Sequence, residues 1–277
     1  MEKVGLIAGS GRFPILFTEE ALRMKVEVVA LGIKGVTDEA LEKLVGKIQY
    51  FKLGQIDKPI QTLKAAGVAR AVMAGKVQHA SLFGGVMPDL RAAKLLARLS
   101  DKRTDSILKA VADEFAKDGI ELISSATYLS HLLVPEGALT TRQPDAAEAA
   151  DLRLGWRAAK AVAGFDIGQT VVVSGGAVIA VEGMEGTDAC VLRARDLARA
   201  RGQKPKLSMV KVAKPKQDLR FDLPVIGLDS LDVFKEAGVT ALALEAHSTL
   251  IFDKDQFIKK ADAQKLAIVG LMPEGPA

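Results

Sequence analysis

The first third of the chain alternates short β-branched or aliphatic runs with segments of helical period, and that alternation limits the fold more than any other feature. Residues 4–8, 26–31, 48–51 and 71–74 read as strands, and residues 14–24 and 59–66 read as helices. Strand and helix taken in turn predict a parallel sheet, because a parallel pair needs a long crossover and that crossover buries itself on the sheet. Over residues 89–117 the apolar positions Leu90, Ala93, Leu95, Leu96 and Leu99, then Ile107, Leu108, Val111 and Phe115, fall mostly three or four apart, which predicts helix. Residues 121–124 supply one more strand.

Pro135, Gly137, Thr140, Thr141 and Pro144 then interrupt the pattern. The chain is accordingly expected to hold an N-terminal α/β domain over residues 1–134, a linker over 135–144 and a C-terminal α/β domain over 145–277. The first is Rossmann-like, with a parallel sheet and flanking helices, and the second is mixed. Within the second, residues 145–162 read as an alanine-rich helix. Residues 170–174 and 177–181 are β-rich and separated only by Gly175-Gly176, a two-residue hairpin signal. A helix over 189–199, strands over 209–212, 225–228, 241–244 and 267–271, and helices near Ser230 and Lys254 complete the reading.

Composition narrows the function. With 49% hydrophobic and 26% charged residues in 277, the chain can bury ordinary cores and is not expected to be disordered. A net charge of +4 from 38 basic and 34 acidic residues is too balanced for nucleic acid and supports only a mild attraction to anionic lipid or phosphate. Cys190 is the single cysteine, so an internal disulfide and a zinc-cysteine site are both ruled out, as suits a reducing cytoplasm. The start of the sequence lacks the pattern of a signal peptide, and no apolar stretch approaches the roughly 20 residues that span a bilayer. Any membrane contact is therefore expected to be peripheral.

Two short segments concentrate charge. Phe221-Asp222-Leu223-Pro224 follows Lys211, Lys214, Lys216 and Arg220, and Glu182, Glu185, Thr187 and Asp188 stand in one stretch after the hairpin. Mg²⁺ takes one or two carboxylates plus substrate phosphate oxygens, and lysine and arginine hold the remaining phosphate charge, so this mixture points to phosphoryl transfer or pyrophosphate cleavage. Asp222 lies at the entry to an apolar strand, where an unpaired carboxylate is costly unless a metal or a cation meets it. Asp188 has a structural reading too, since acids favour a helix N-terminus.

Gly9-Ser10-Gly11-Arg12 falls between the first strand and the first helix, where backbone N–H groups can receive an anion or simply make a tight turn. Pro14 stands where a dinucleotide fingerprint needs its third glycine, and Gly32-Ile33-Lys34 lacks the ribose-binding acid, which argues against a nucleotide-dependent oxidoreductase. Gly75-Lys76 follows the fourth strand at the same sheet edge, as a phosphate contact or a solvated charge. Thr104 and Asp105 either cap a helix beginning at Ser106 or reach substrate, and Gln169 either contacts a base or sugar or steadies its loop. His79, His131 and His247 share no metal-ligand spacing, and His247 is expected in a hairpin loop. No nucleophile elbow is present, and Cys190 has no nearby base.

Taken together, Gly5-Leu6-Ile7-Ala8-Gly9-Ser10-Gly11, Ala74-Gly75-Lys76-Val77, Phe165-Asp166-Ile167-Gly168-Gln169, Glu182-Gly183-Met184-Glu185-Gly186-Thr187-Asp188-Ala189 and Lys214-Pro215-Lys216-Gln217-Asp218-Leu219-Arg220-Phe221-Asp222-Leu223-Pro224 resemble the LpxI-type UDP-2,3-diacylglucosamine pyrophosphatases of lipid A biosynthesis. The resemblance runs in matching order over nearly the whole chain. It implies Mg²⁺-dependent hydrolysis of the UDP-sugar pyrophosphate to UMP and 2,3-diacylglucosamine 1-phosphate (lipid X), with water attacking the phosphorus nearer the sugar. It further implies a two-domain cytoplasmic protein at the inner-membrane surface, and a homodimer is left open. The family's catalytic aspartate falls on Asp222, with Asp188 and Glu185 as further acids and Asp222 and Asp188 as metal ligands. Gly9, Ser10, Gly11, Gly75, Lys76, Thr104, Asp105, Gln169, Thr187, Lys214, Gln217 and Arg220 are the expected substrate contacts. Many relatives carry a second acid where this chain has Ser106. A non-catalytic nucleotide-sugar or lipid-binding protein is the alternative reading.

Overall fold

The computed structural model describes residues 2–77, 87–99, 104–200, 202, 205–215, 218, 220–221 and 223–272. The chain divides into two compact units, Met1–Ser130 with Asp218–Asp222 and His131–Gln217 with Leu223–Ala277. A short piece of the C-terminal half thus belongs to the first unit.

That first unit is a five-stranded sheet in the order β3-β2-β1-β4-β5, formed by β1 (Lys3–Ala8), β2 (Glu27–Ile33), β3 (Gln49–Phe51), β4 (Arg70–Ala74) and β5 (Glu121–Leu122), with every neighbouring pair parallel. Five of the six residues of β1 are buried, the near-continuous burial that helices on both faces impose on a parallel strand. Side chains alternate between those faces. Leu6 and Val72 pack with Phe17 and Ala21 of α1 (Arg12–Arg23) and Leu41 of α2 (Ala40–Val45). Ile7 and Ala71 pack with Leu63 of α3 (Asp57–Ala65), Leu95 of α4 (Leu90–Arg98) and Phe115 of α5 (Thr104–Lys117). Fully buried Phe17 and Phe115 each contribute about 2–3 kcal/mol of apolar transfer. The winding reverses between β1 and β4, so the crevice that such sheets offer to ligands lies beyond the carboxyl ends of those two strands.

The second unit carries a six-stranded mixed sheet in the order β6-β13-β11-β9-β7-β8. Its strands are β6 (Gly137–Ala138), β7 (Thr170–Ser174), β8 (Ala177–Val181), β9 (Leu207–Lys211), β11 (Val239–Glu245) and β13 (Ala267–Leu271). β9, β11 and β13 run parallel, while β6, β7 and β8 are antiparallel to their neighbours. Alternation again sorts the core. Val171, Val173, Val210, Ala241 and Ala243 meet Leu152, Trp156 and Ala159 of α6 (Ala146–Gly164). On the opposite face Val172, Met209, Leu242 and Leu244 meet α7 (Thr187–Ala200), α8 (Leu228–Ala237) and α9 (Lys254–Ala263).

Local signals explain the ends of these elements. α6 starts at a capping box in which Asp145 accepts from the Glu148 N–H and Glu148 accepts from the Asp145 N–H, each at 2.9 Å. Gly175 and Gly176 both take positive φ, 59° and 80°, as the tight hairpin turn between β7 and β8 requires. The carboxylate of Asp151 accepts from both of their N–H groups, at 3.1 and 2.7 Å.

The expectation of a hairpin around His247 is corrected. β11 pairs in parallel with β9 and β13, and Leu250–Ile251 (β12) instead joins Val225–Ile226 (β10) in a separate two-stranded parallel sheet. His247 sits in a turn with φ 57°. Among the described residues no helix is long and apolar enough to cross a membrane.

Candidate functional site

In the first unit, the glycine loops after β1 and β4 meet at the crevice. Gly9 donates to Ala74 O at 2.8 Å, and Ser10 and Lys76 exchange backbone hydrogen bonds at 2.9 and 3.0 Å. The Ser10 hydroxyl adds a third, to Lys76 O at 2.9 Å. A Cβ on Gly9 would stand 2.7 Å from Lys76 O, and one on Gly75, whose φ is 97°, would stand 2.8 Å from Ser10 O. Only glycine permits this approach. Gly9, Ser10, Gly75 and Lys76 are thus brought together as expected, but the N–H and hydroxyl of Ser10 are engaged with Lys76. Gly11 caps α1, and the Lys76 side chain is exposed.

Behind this edge lies an apolar cavity of about 660 Å³. Gly9 and Gly75 line its sheet end, Leu95 and Phe115 its helical wall, and Phe221 closes it from the segment contributed by the C-terminal half. Among its lining residues only Gln55 has a polar side chain. A charge would find little to solvate it there, whereas hydrocarbon fits. The helical wall is clamped. Asp89 caps α4 by accepting from Ala92 N at 2.8 Å and also accepts from Ile56 N and Asp57 N at 2.8 and 2.9 Å. Arg91 reaches Glu114 of α5 at 3.0 Å and Asp118, just past its end, at 2.5 Å.

Beside the cavity, Arg220 grips Asp218 through two parallel contacts, Nε to Oδ1 at 2.9 Å and Nη2 to Oδ2 at 2.6 Å, and its guanidinium lies 4.9 Å from the Phe221 ring centre. The hydrogen bond from Arg220 holds the Asp218 carboxyl below its usual value. Arg220 therefore sits in the first unit, while Lys214, expected to act with it, belongs to the second.

In the second unit the carboxyl edge of the parallel strands gathers a buried polar cluster, because β7 runs antiparallel to β9 and β8 to β7. Their opposite ends, Gln169-Thr170 and Val181-Glu182, come to the end of β9 at Lys211. The Lys211 ammonium lies 2.7 Å from Thr187 Oγ1, and Thr187 donates to Glu182 Oε1 at 3.0 Å. Thr170 Oγ1 is 3.3 Å from the same hydroxyl, and Glu182 accepts from Gln169 N at 3.4 Å. Lys211 and Glu182 are both buried. The Gln169 Oε1 atom is buried without a partner among the described residues.

The other predicted residues are placed as follows. Glu185 accepts from Gly183 N at 2.9 Å and pairs with Arg193 at 2.6 Å, and that hydrogen bond holds its carboxyl below the ordinary value. Asp188 is exposed in the first turn of α7. Lys214 pairs with Asp166 at 2.5 Å, and the strand exit before it is held by Glu245, which accepts from Ala213 N at 2.8 Å and from Lys160 at 3.0 Å. Gln217 and Asp222 lie outside the described residues, as do His79 and the side chains of Thr104 and Asp105. α5 itself begins at Thr104 rather than Ser106. Cys190 is buried, which pushes its thiol up to about 11.

Sequence reasoning counted Lys211 in the basic run before Asp222 but did not join it to Thr187 and Glu182, and it missed the Lys160–Glu245 pair altogether. A lysine closing a strand of buried residues was the available signal. No group of three metal-ligating side chains occurs among the described residues.

Comparison with known proteins follows this division of the chain. Residues 3–132 match the LpxI N-terminal domain and residues 135–269 the LpxI C-terminal domain. The chain belongs to the LpxI family. A relative from Caulobacter vibrioides, named UDP-2,3-diacylglucosamine pyrophosphatase LpxI, is 31% identical over 280 residues, covering 99% of each sequence. In this LpxI-family chain the glycine loops and every lining residue of the apolar cavity except Phe221 fall within the N-terminal match, and Phe221 and the Lys211–Thr187 cluster fall within the C-terminal one.

Proposed function

We propose that this LpxI-family hydrolase cleaves the pyrophosphate bond of UDP-2,3-diacylglucosamine, with Mg²⁺, to UMP and 2,3-diacylglucosamine 1-phosphate at the cytoplasmic surface of the inner membrane. The observation that carries the reading is the oily cavity opening at the glycine-loop edge, because a substrate that joins acyl chains to a pyrophosphate needs a hydrocarbon pocket close to a polar one. Likeness to the Caulobacter vibrioides relative supports the same reaction.

In this reading water adds to the phosphorus nearer the glucosamine, and the bond from that phosphorus to the bridging oxygen breaks, so UMP departs with that oxygen. Lys211, held by Thr187, is a preplaced positive charge for phosphate oxygens, and Lys214 and Arg220 are further cations for the same substrate. Asp222 orients the attacking water and receives its proton. Asp188 and Asp222 would hold Mg²⁺, which when bound neutralises charge developing on the phosphoryl oxygens. Gln169 contacts the nucleoside.

UMP release from a panel of UDP-sugars with and without two acyl chains, each assayed with Mg²⁺ and with excess EDTA, tests the proposal. Release from the diacyl substrate alone, abolished by EDTA and restored by Mg²⁺ or Mn²⁺, is expected. Equal release from the acyl-free sugars would overturn the substrate assignment, and full turnover in EDTA would overturn the metal requirement.

A further inference from the structure

Helix α4 carries two faces with different chemistry. Ala92 and Leu95 point into the core, and Arg91 at their margin is paired to Asp57, Glu114 and Asp118. Turned away from the core are Leu90, 73% exposed, and Lys94 one turn on, while exposed Arg98 follows at the margin shared with Arg91, beside a groove that Asp113 and Glu114 also line, and Met87, 86% exposed, stands just before the helix. The sequence Leu-Arg-Ala-Ala-Lys-Leu-Leu-Ala-Arg contains no acid. Neither Lys94 nor Arg98 has an ion pair among the described residues, in contrast to the triply paired Arg91. Cations beside exposed large apolar side chains match a bilayer interface, where the apolar groups enter the acyl boundary and the cations meet anionic headgroups.

The same helix walls the apolar cavity. Leu96 and Ala97 line it, with Pro88 before them. One nine-residue element therefore offers its outer side to a lipid surface while its edge borders a hydrocarbon-lined pocket.

The geometry points to α4 with Met87 as the surface by which this protein docks on an anionic lipid bilayer, with Leu90 and Met87 inserted at the headgroup level and Lys94 and Arg98 on the phosphates. An acyl chain leaving the bilayer then reaches the cavity along α4 without crossing bulk water. That last step rests on the diacyl substrate reading, whereas the docking itself does not.

Flotation of the full-length protein with vesicles, in the absence of substrate, tests the docking. Vesicles of phosphatidylethanolamine and phosphatidylglycerol are compared with vesicles of phosphatidylcholine alone, and three proteins are compared: wild type, Leu90→Glu/Lys94→Glu, and a control with a charge change at least as large on α2 and its end, Lys43→Glu/Lys47→Glu. The chosen substitutions keep the helix, since glutamate is a good helix former and is favourable in the first turn. Thermal midpoints verify that the fold is kept. Wild type and control are expected to float with the phosphatidylglycerol vesicles, with a loss of about tenfold or more for the α4 variant and a clear weakening in high salt. Equal flotation of the α4 variant, equal loss in the control, or no flotation of wild type would each overturn the proposal, as would capture by an acidic protein without vesicle binding. UMP release from detergent-dispersed substrate is measured in parallel. If wild type floats but releases no UMP, the reaction fails and the docking surface stands.

Discussion

The ammonium of Lys211 rests 2.7 Å from the hydroxyl of Thr187, across 24 residues of sequence, and joins the end of β9 to the start of α7. The lysine is 5% exposed, so the groups packed around it, rather than water, hold its ammonium. Two effects are expected of Lys211→Met. Turnover should fall by about two to three orders of magnitude, as for a lost electrostatic contact to a reacting phosphate. The thermal midpoint should fall as well, because Glu182 and Thr187 stay buried once the cation is gone, so turnover is read per folded molecule. Unchanged kcat with a lowered midpoint would assign Lys211 to the fold alone.

Filling the cavity should discriminate among substrates by chain length. Ala97 lines the cavity yet is solvent-exposed, so Ala97→Trp adds volume there at little cost to packing. We expect kcat/KM for a long-chain diacyl substrate to drop by about tenfold or more relative to a short-chain one, the size that one to three kcal/mol of hydrophobic pocket contact yields. A uniform loss across all chain lengths would mean that the pocket does not receive acyl chains.

Much of this architecture is written in local signals. The alternation through residues 4–74 suffices for a parallel sheet, because buried parallel strands must be apolar on both faces. Gly175-Gly176 marks the hairpin because both turn residues need positive φ. The site is less legible. Lys211, Thr187 and Glu182 meet only through the pairing of three strands, and no spacing in the sequence announces that β7 lies antiparallel beside β9. Phe221 belongs to a five-residue piece that joins the first unit after the chain has built most of the second. The basic run from Lys211 to Arg220 looks like one patch, yet Lys214 and Arg220 fall in different units. Such long-range returns depend on tertiary packing and leave no periodic trace.

Acid stability should report the pairing of Glu185. Its hydrogen bond from Arg193 lowers its pKa in the folded protein below the ordinary 4.5, so the folded state binds this proton less readily than the unfolded chain. The stabilisation is present above pH 4.5 and is lost as pH falls through the depressed value. Asp218, lowered by Arg220, adds to the same limb below 3.8. Thermal midpoints of wild type and Glu185→Gln, followed from neutral to acid pH, should converge as the pH drops, the variant showing the shallower decline. Parallel curves would show that the pair does not couple to folding. Because Glu185 is occupied by Arg193 and the Gly183 N–H, Glu185→Gln is also expected to keep most of its turnover.

Asp222 carries the heaviest chemical expectation. Arg220 and Phe221, immediately before it, belong to the first unit and line or border the apolar cavity, while Leu223 after it is buried in the second unit. A carboxylate that orients water or binds Mg²⁺ stabilises the transition state more than bound substrate, so Asp222→Ala should lower kcat by several orders of magnitude. Binding should persist, because removing a negative charge beside a pyrophosphate relieves repulsion, and the inactive protein is expected to retain diacyl substrate through purification. An aspartate serving only the fold predicts the reverse pattern, a lower thermal midpoint with near-normal activity in the folded fraction. Midpoint, turnover and mass-spectrometric detection of retained lipid, taken on one preparation of Asp222→Ala, separate the two. Asp222→Asn sharpens the comparison, since it preserves size and hydrogen bonding but removes the charge and the basic oxygen. If Asp222→Asn turns over within about tenfold of wild type, neither general-base nor metal-ligand chemistry rests on this residue.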